Sequence, residues 1–244
     1  MTDTASLEAS GESFDVYIAR PEGDPIGGLI LVHEVWGLVD HIRDVADRYA
    51  ALGWLVAAPD ILSRGGIEPA VGAELFAEMN SPDEEVRVAA QPRLRDALTV
   101  TLAPEYAGWA VGALRATGDW LTAEGVGDRL VVTGFCFGGT YAFLLATADD
   151  RIRAAAPFYG RAPEAPQIAR ITCPVLAFYG QHDPSLIDAL PQVKAEMAAA
   201  DVDFEAVVYA DAAHAFFNDT GPRYRAADAA DAWDRVTTFL RAHV

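Results

Sequence analysis

The chain has 244 residues, 52% of them hydrophobic, with 36 acidic against 18 basic side chains and a formal charge of −18. That length and apolar content suffice for one large core, read here as a single domain over 1–244, while the charge opposes nucleic acid and anionic membrane surfaces as partners. No apolar run approaches the ~20 residues of a membrane helix, the first ten residues lack the basic start and apolar core of a secretory signal, and the two cysteines, Cys136 and Cys173, are too few for a disulfide framework; a cytoplasmic protein with reduced thiols is expected.

Short apolar runs bounded by turn residues recur at Leu29 to Val32, Trp54 to Ala57, Leu130 to Thr133, Ala154 to Phe158, Pro174 to Tyr179 and Phe204 to Tyr209. Their continuous apolar character predicts parallel strands covered on both faces, whereas Phe14 to Ile18 alternates and predicts an antiparallel edge. Helical patterns fall between them. Asp40 is placed to cap a helix with Ile42, Val45, Ala46 and Tyr49 inward and Gly53 at its end, and Trp233, Val236, Phe239 and Leu240 give the last helix its buried stripe. The alternation predicts a doubly wound, mostly parallel α/β sheet with helices on both faces and its chemistry at the carboxyl ends of the strands. Leu62 to Ala103 breaks the rhythm: it lacks a clear strand and carries two weak helical patterns. An excursion over the site and a solvent-side connection are both compatible with it.

Gly134-Phe135-Cys136-Phe137-Gly138-Gly139 follows one predicted strand and precedes the helical run Thr140 to Ala148. This is a nucleophile-elbow pattern with Cys in the Ser position: the tight strand-to-helix turn needs small residues two places either side of the nucleophile, which Gly134 and Gly138 provide. The turn brings the sulfur to the positive end of a helix, which favours thiolate, and leaves the Phe137 N–H for an oxyanion. The partners follow in the chain order nucleophile, acid, histidine. Asp183 comes after the predicted strand Pro174 to Tyr179, and His214 after Phe204 to Tyr209. Taken singly, Asp183 could instead cap a helix ahead of Pro184 and His214 could be an ordinary loop histidine. His182 and His33 are weaker candidates for the base. No His follows His33 at the zinc-protease spacing and no other ligand pattern occurs, so no metal is expected.

The elbow, the segment His33-Glu34-Val35-Trp36-Gly37-Leu38, the Gly180-Gln181-His182-Asp183 loop and the tail from Ala213 to Tyr224 with Trp233 beyond it together resemble the dienelactone hydrolase family of α/β-hydrolases, in its carboxymethylenebutenolidase-like branch. The resemblance covers about Asp15 to the C-terminus and is weakest over Leu62 to Ala103. It implies Cys136, Asp183 and His214 as a triad and Glu34 as a carboxylate that contacts the nucleophile at rest and helps activate it. It also implies the Val35 N–H as second member of the oxyanion hole with Phe137. A fixed salt bridge is the competing role for Glu34. The family's arginine four residues after the histidine, which grips a substrate carboxylate, is Asn218 here, leaving Arg223, Arg93, Arg95 or Arg64 as alternative sources of charge. Trp36, Phe135, Phe216, Asn218, Arg223 and Tyr224 are the candidate substrate-binding residues, although the aromatics, with Phe137, could equally pack beneath the site.

The expected activity is hydrolysis of a small activated ester or lactone through a Cys136 thioester, without a cofactor. The alternatives are a thiol redox protein using Cys136 and Cys173, and a non-catalytic small-ligand binding module on a hydrolase fold. A monomer and a homodimer are both compatible with the sequence.

Overall fold

The structure is a computed structural model in which residues 2–244 are described. Strands β1 (Thr2–Ala9), β2 (Glu12–Ala19), β3 (Gly27–Val32), β4 (Trp54–Pro59), β5 (Leu130–Phe135), β6 (Ile152–Phe158), β7 (Val175–Gly180) and β8 (Phe204–Tyr209) form one eight-stranded sheet in the order β1-β2-β4-β3-β5-β6-β7-β8. β2 is antiparallel to both β1 and β4, and pairing is parallel from β4 through to β8. The wholly buried runs of β3, β4, β5 and β7 explain their continuous apolar sequences: both faces are covered.

β2 is not the edge that its alternation suggested. β1 pairs outside it, and the two are joined by Ser10-Gly11 with φ of 52° and 79°, the left-handed pair of a two-residue hairpin turn. The alternation of β2 reflects a half-covered sheet face, not an edge position.

Helix α1 (Asp40–Ala51) buries Ile42, Val45, Ala46 and Tyr49. Its N-cap is Val39, and Asp40 sits in the first turn without a capping hydrogen bond, acting instead through the helix dipole and an ion pair with Arg43 at 3.7 Å. Gly53, at φ 101°, follows the helix end as expected. In the interrupting stretch, α2 (Pro69–Met79) and α3 (Glu84–Leu98) pack on each other, and no strand occurs there. Gly72 brings α2 onto the loop after β3: a Cβ there would lie 1.7 Å from the Trp36 carbonyl oxygen. Beyond it come α4 (Pro104–Leu121), α5 (Phe137–Ala148), the short α6 (Ala165–Ile168) and α7 (Pro184–Ile187), α8 (Leu190–Ala199) and α9 (Ala226–Arg241). α4, α5, α6 and α8 form one connected layer, while α1 and α9 meet through Tyr49 and Trp233. The loops after β3, β5, β6, β7 and β8 therefore gather at one end of the sheet.

Candidate active site

Cys136 sits between β5 and α5 at φ 56° and ψ −113°, a conformation costly for a residue with a side chain and tolerated where structure over-determines it. The two flanking glycines make it possible. A Cβ at Gly134 would lie 2.3 Å from the Gly138 carbonyl oxygen, and one at Gly138 would lie 2.2 Å from that of Val32. The backbone N–H groups of Phe137 and Val35 lie beside the Cys136 sulfur and pull its pKa down. Burial, and then the neighbouring charge of Glu34, nevertheless push the thiol up to about 12 against the pull of those two donors. The pull of the donors at the turn is thus outweighed by burial and by Glu34.

Asp183 follows β7 and His214 follows β8, and Asp183 Oδ2 lies 2.6 Å from His214 Nδ1. Asp183 is buried and its carboxylate makes no helix-capping bond; Oδ1 accepts from the Ser185 hydroxyl at 3.0 Å. The His214 ring, half-buried, leaves Nε2 for chemistry. Among the described residues no hydrogen bond joins Cys136 to His214; the groups that act most on the sulfur are the two backbone N–H groups and Glu34. His182 is exposed. His33 is fully buried, with Nδ1 2.8 Å from the Glu34 carbonyl oxygen and Nε2 accepting from the Ile61 N–H at 3.1 Å.

Glu34 is 2% exposed. Its Oε2 accepts from Asn218 Nδ2 at 2.6 Å and its Oε1 from the Tyr159 hydroxyl at 3.4 Å. Burial lifts the carboxyl to about 7, opposed by the Asn218 and Tyr159 hydrogen bonds and the positive Arg223. Its hydrogen-bond partners are thus neutral donors, not a salt bridge. Asn218 is also 2% exposed, and its Oδ1 accepts from the Thr220 N–H and hydroxyl at 3.0 and 2.6 Å. Both ends of the amide are therefore engaged inside the protein. Tyr159 was missed in the sequence. It follows β6 directly, at φ 37°, with its ring 5.0 Å from that of His214; its only sequence signal is Tyr159-Gly160 at a strand exit.

Trp36 and Arg223 line a small cavity with Phe76, Asn80, Ala215 and Asn218, and Trp36 meets Phe76 of α2 edge to face at 5.4 Å. Phe135 and Phe216 do not reach it. Both are fully buried, Phe135 against Phe158 and Phe217 and Phe216 against Tyr159 and Tyr209, because the side chain just before the elbow and the one two places after His214 point into the core. Tyr224 is exposed and borders a separate groove with Phe217 and Trp233. Arg64 is paired with Glu12 and lies over Trp109, Arg93 is paired with Glu74 and Glu78, and Arg95 lies on an exposed face of α3. A broader surface cleft at Ala19, Asp47 and Gly53 lies at the opposite end of the sheet from Cys136.

Cys173 is buried just ahead of β7, with its thiol raised by burial to about 11. Since β5, β6 and β7 are parallel, it lies at the far end of the sheet from Cys136, roughly a strand length or ~20 Å away. A disulfide needs Cα atoms within about 7 Å, so the two cannot form a redox pair. Among the described residues no group of His, Cys, Asp and Glu is arranged to hold a metal ion, and no helix is long and apolar enough to cross a membrane.

Comparison with known proteins agrees with this architecture. A protein from Saccharolobus solfataricus described as "Putative carboxymethylenebutenolidase" is 31% identical over 96% of this chain and 96% of its own length. One from Escherichia coli with the same description is 31% identical over 98% of this chain and 86% of its own. A Klebsiella pneumoniae crystal structure described as a "Putative Dienelactone Hydrolase" superposes with a TM-score of 0.82 at 29% identity, covering 98% of both chains. With residues 14–244 matching the dienelactone hydrolase family model, the chain belongs to the dienelactone hydrolase family and has its α/β-hydrolase fold.

Proposed function

We propose that this member of a family of lactone and ester hydrolases cleaves small activated esters or lactones through a thioester on Cys136. The observation that carries the reading is the Asp183–His214 contact of 2.6 Å at the same sheet end as a cysteine held in a strained elbow. In the resting state the sulfur lies beside the Val35 and Phe137 N–H groups. A substrate carbonyl oxygen entering that position displaces it toward His214. His214 Nε2 takes the Sγ proton as the sulfur attacks the carbonyl carbon, and the carbonyl electron pair moves onto the oxygen held by the two N–H groups. Collapse expels the leaving oxyanion, which takes the proton from His214, and a thioester remains. Water, deprotonated by His214, attacks the thioester; the sulfur leaves, is reprotonated, and the acid is released.

Glu34, near 7 and partly protonated at neutral pH, fits a carboxyl that takes part in activating the adjacent thiol. Its charge disfavours a neighbouring thiolate, so it acts before the sulfur turns to His214 and not during attack. Trp36, Phe76 of α2 and Arg223 form the substrate wall in this reading, which makes the Leu62 to Ala103 excursion part of the site cover within one domain. No cofactor enters any step. A cytoplasmic location suits the two free thiols.

Incubation with a panel of lactones, aryl esters and alkyl esters, read by intact mass, tests the reading. An acyl adduct on Cys136 that turns over supports it. Ligand retention without any adduct or product favours a binding module.

A further inference from the structure

The hydrolase reading leaves His33 without a part, yet both of its ring nitrogens are hydrogen-bonded. The Ile61 backbone N–H can only donate and the Glu34 carbonyl can only accept, so the 3.1 Å and 2.8 Å contacts fix the ring with the proton on Nδ1 and a lone pair on Nε2. The ring is wholly buried, and it lies parallel to the Phe137 ring, 4° between planes and 6.1 Å between centroids.

The Glu34 carbonyl belongs to the same peptide unit as the Val35 N–H. In a planar trans peptide the two point in opposite directions, so a donor that pins the oxygen also sets where the N–H points. A hydrogen bond to that oxygen further polarises the unit and strengthens the N–H as a donor. The other oxyanion donor belongs to Phe137, on whose ring His33 stacks. One buried side chain therefore touches both halves of the hole, and through Ile61 ties them to the loop after β4.

We propose that His33 is a positioning residue of the oxyanion hole, setting the aim and donor strength of the Val35 N–H and seating Phe137, without touching substrate. This rests on the assignment of Val35 and Phe137 as oxyanion donors.

The test compares the wild type with His33→Leu, His33→Asn and His33→Gln. The Asn Nδ2 overlies the imidazole Nδ1 and keeps the bond to the Glu34 carbonyl; the Gln amide reaches the Nε2 position, satisfies Ile61 and leaves that carbonyl with the Gly37 N–H, 3.1 Å away, as its one donor. Removing one oxyanion donor outright costs about 10²- to 10³-fold, so mis-aiming one should lower acylation by phenyl acetate roughly 10- to 100-fold in the Leu and Gln variants. The loss should fall on kcat with KM little changed, and Asn should restore most of it. Alkylation of Cys136 by iodoacetamide at pH 9 attacks a saturated carbon that develops no oxyanion, so it should change far less. If the Leu variant does not fold, the Asn and Gln contrast decides. Acylation and alkylation falling together, Gln rescuing as well as Asn, or an unaffected Leu variant would each overturn the proposal while leaving the hydrolase reading intact. A wild type that forms no acyl adduct on Cys136 defeats both.

Discussion

Asn218 Nδ2 donates to Glu34 Oε2 across 2.6 Å, with both side chains only 2% exposed. A neutral donor stabilises the ionised carboxylate, so removing it moves the Glu34 pKa further above about 7. Asn218→Leu keeps the volume and removes the donor. The rising limb of kcat/KM against pH should shift alkaline by about one unit, the worth of a hydrogen bond to a charged group. A profile identical to the wild type's would separate Glu34 ionisation from turnover.

The same burial makes Glu34 a stability element with a definite sign. Its folded pKa, about 7, lies above its ordinary 4.5, so the native state holds this proton more tightly than the unfolded chain. The associated stability is complete below pH about 4.5 and is lost as pH rises through about 7, a difference of about 3 kcal/mol at 1.36 kcal/mol per pH unit. Glu34→Gln removes the titration. Its denaturation midpoint should exceed that of the wild type at pH 8, and the gap should close at pH 4. A gap of the same size at both pH values would tie it to packing.

The contact between His214 and Asp183 predicts unequal costs for the two histidines near β7 and β8. His214→Ala should lower kcat by several orders of magnitude, and Asp183→Asn, which leaves the ring without its anionic partner, by about 10⁴-fold. His182 is exposed, and His182→Ala should leave kcat within about twofold. Steady-state kinetics on the three variants would refute the base assignment if His182 proved the more damaging position.

The strands and elbow were legible in the sequence because each is a local pattern: an apolar run with a turn, or glycines two places either side of Cys136. β1 was not read: Ala5, Leu7 and Ala9 alternate inward ahead of Ser10-Gly11, but a polar terminus masks such a pattern. Nor was the support of Glu34 legible. Tyr159 and Asn218 lie 125 and 184 residues from it in the chain, and no local signal tells a buried, doubly engaged amide from one facing substrate. Phe135 and Phe216 were misplaced for a related reason. Adjacency to a site residue does not set side-chain direction: Phe135 ends β5, where alternate side chains face opposite ways, and Phe216 lies in a turn whose direction no local pattern sets.

The raised Cys136 thiol, about 12, makes the resting enzyme a poor nucleophile toward reagents that do not enter the oxyanion hole. Iodoacetamide should modify Cys136 more slowly than free cysteine at pH 7, with a rate still climbing at pH 9. Glu34→Gln removes the second cause of the shift and should accelerate the reaction. Fast alkylation reaching a plateau below pH 8 would contradict a thiol ground state. Cys173→Ala should leave hydrolysis nearly intact, whereas Cys136→Ala should abolish it.

Sulfur at position 136 also governs which leaving groups succeed. In the tetrahedral intermediate the better leaving group departs, and a thiolate leaves far more readily than an alkoxide. Simple alkyl esters should therefore mostly revert to substrate. Aryl esters and enol lactones release oxyanions of pKa near ~10, as for the Tyr phenol, so the thiolate keeps little advantage over them. These substrates should partition forward. Cys136→Ser removes the partitioning penalty but supplies a hydroxyl that the site must deprotonate from a far higher pKa, so rates should fall while the preference for activated esters narrows. Measuring kcat/KM for phenyl acetate, an enol lactone and ethyl acetate in both proteins tests the argument. Ethyl acetate turning over as fast as the enol lactone in the wild type would sink it, because no partition in favour of sulfur departure would then exist.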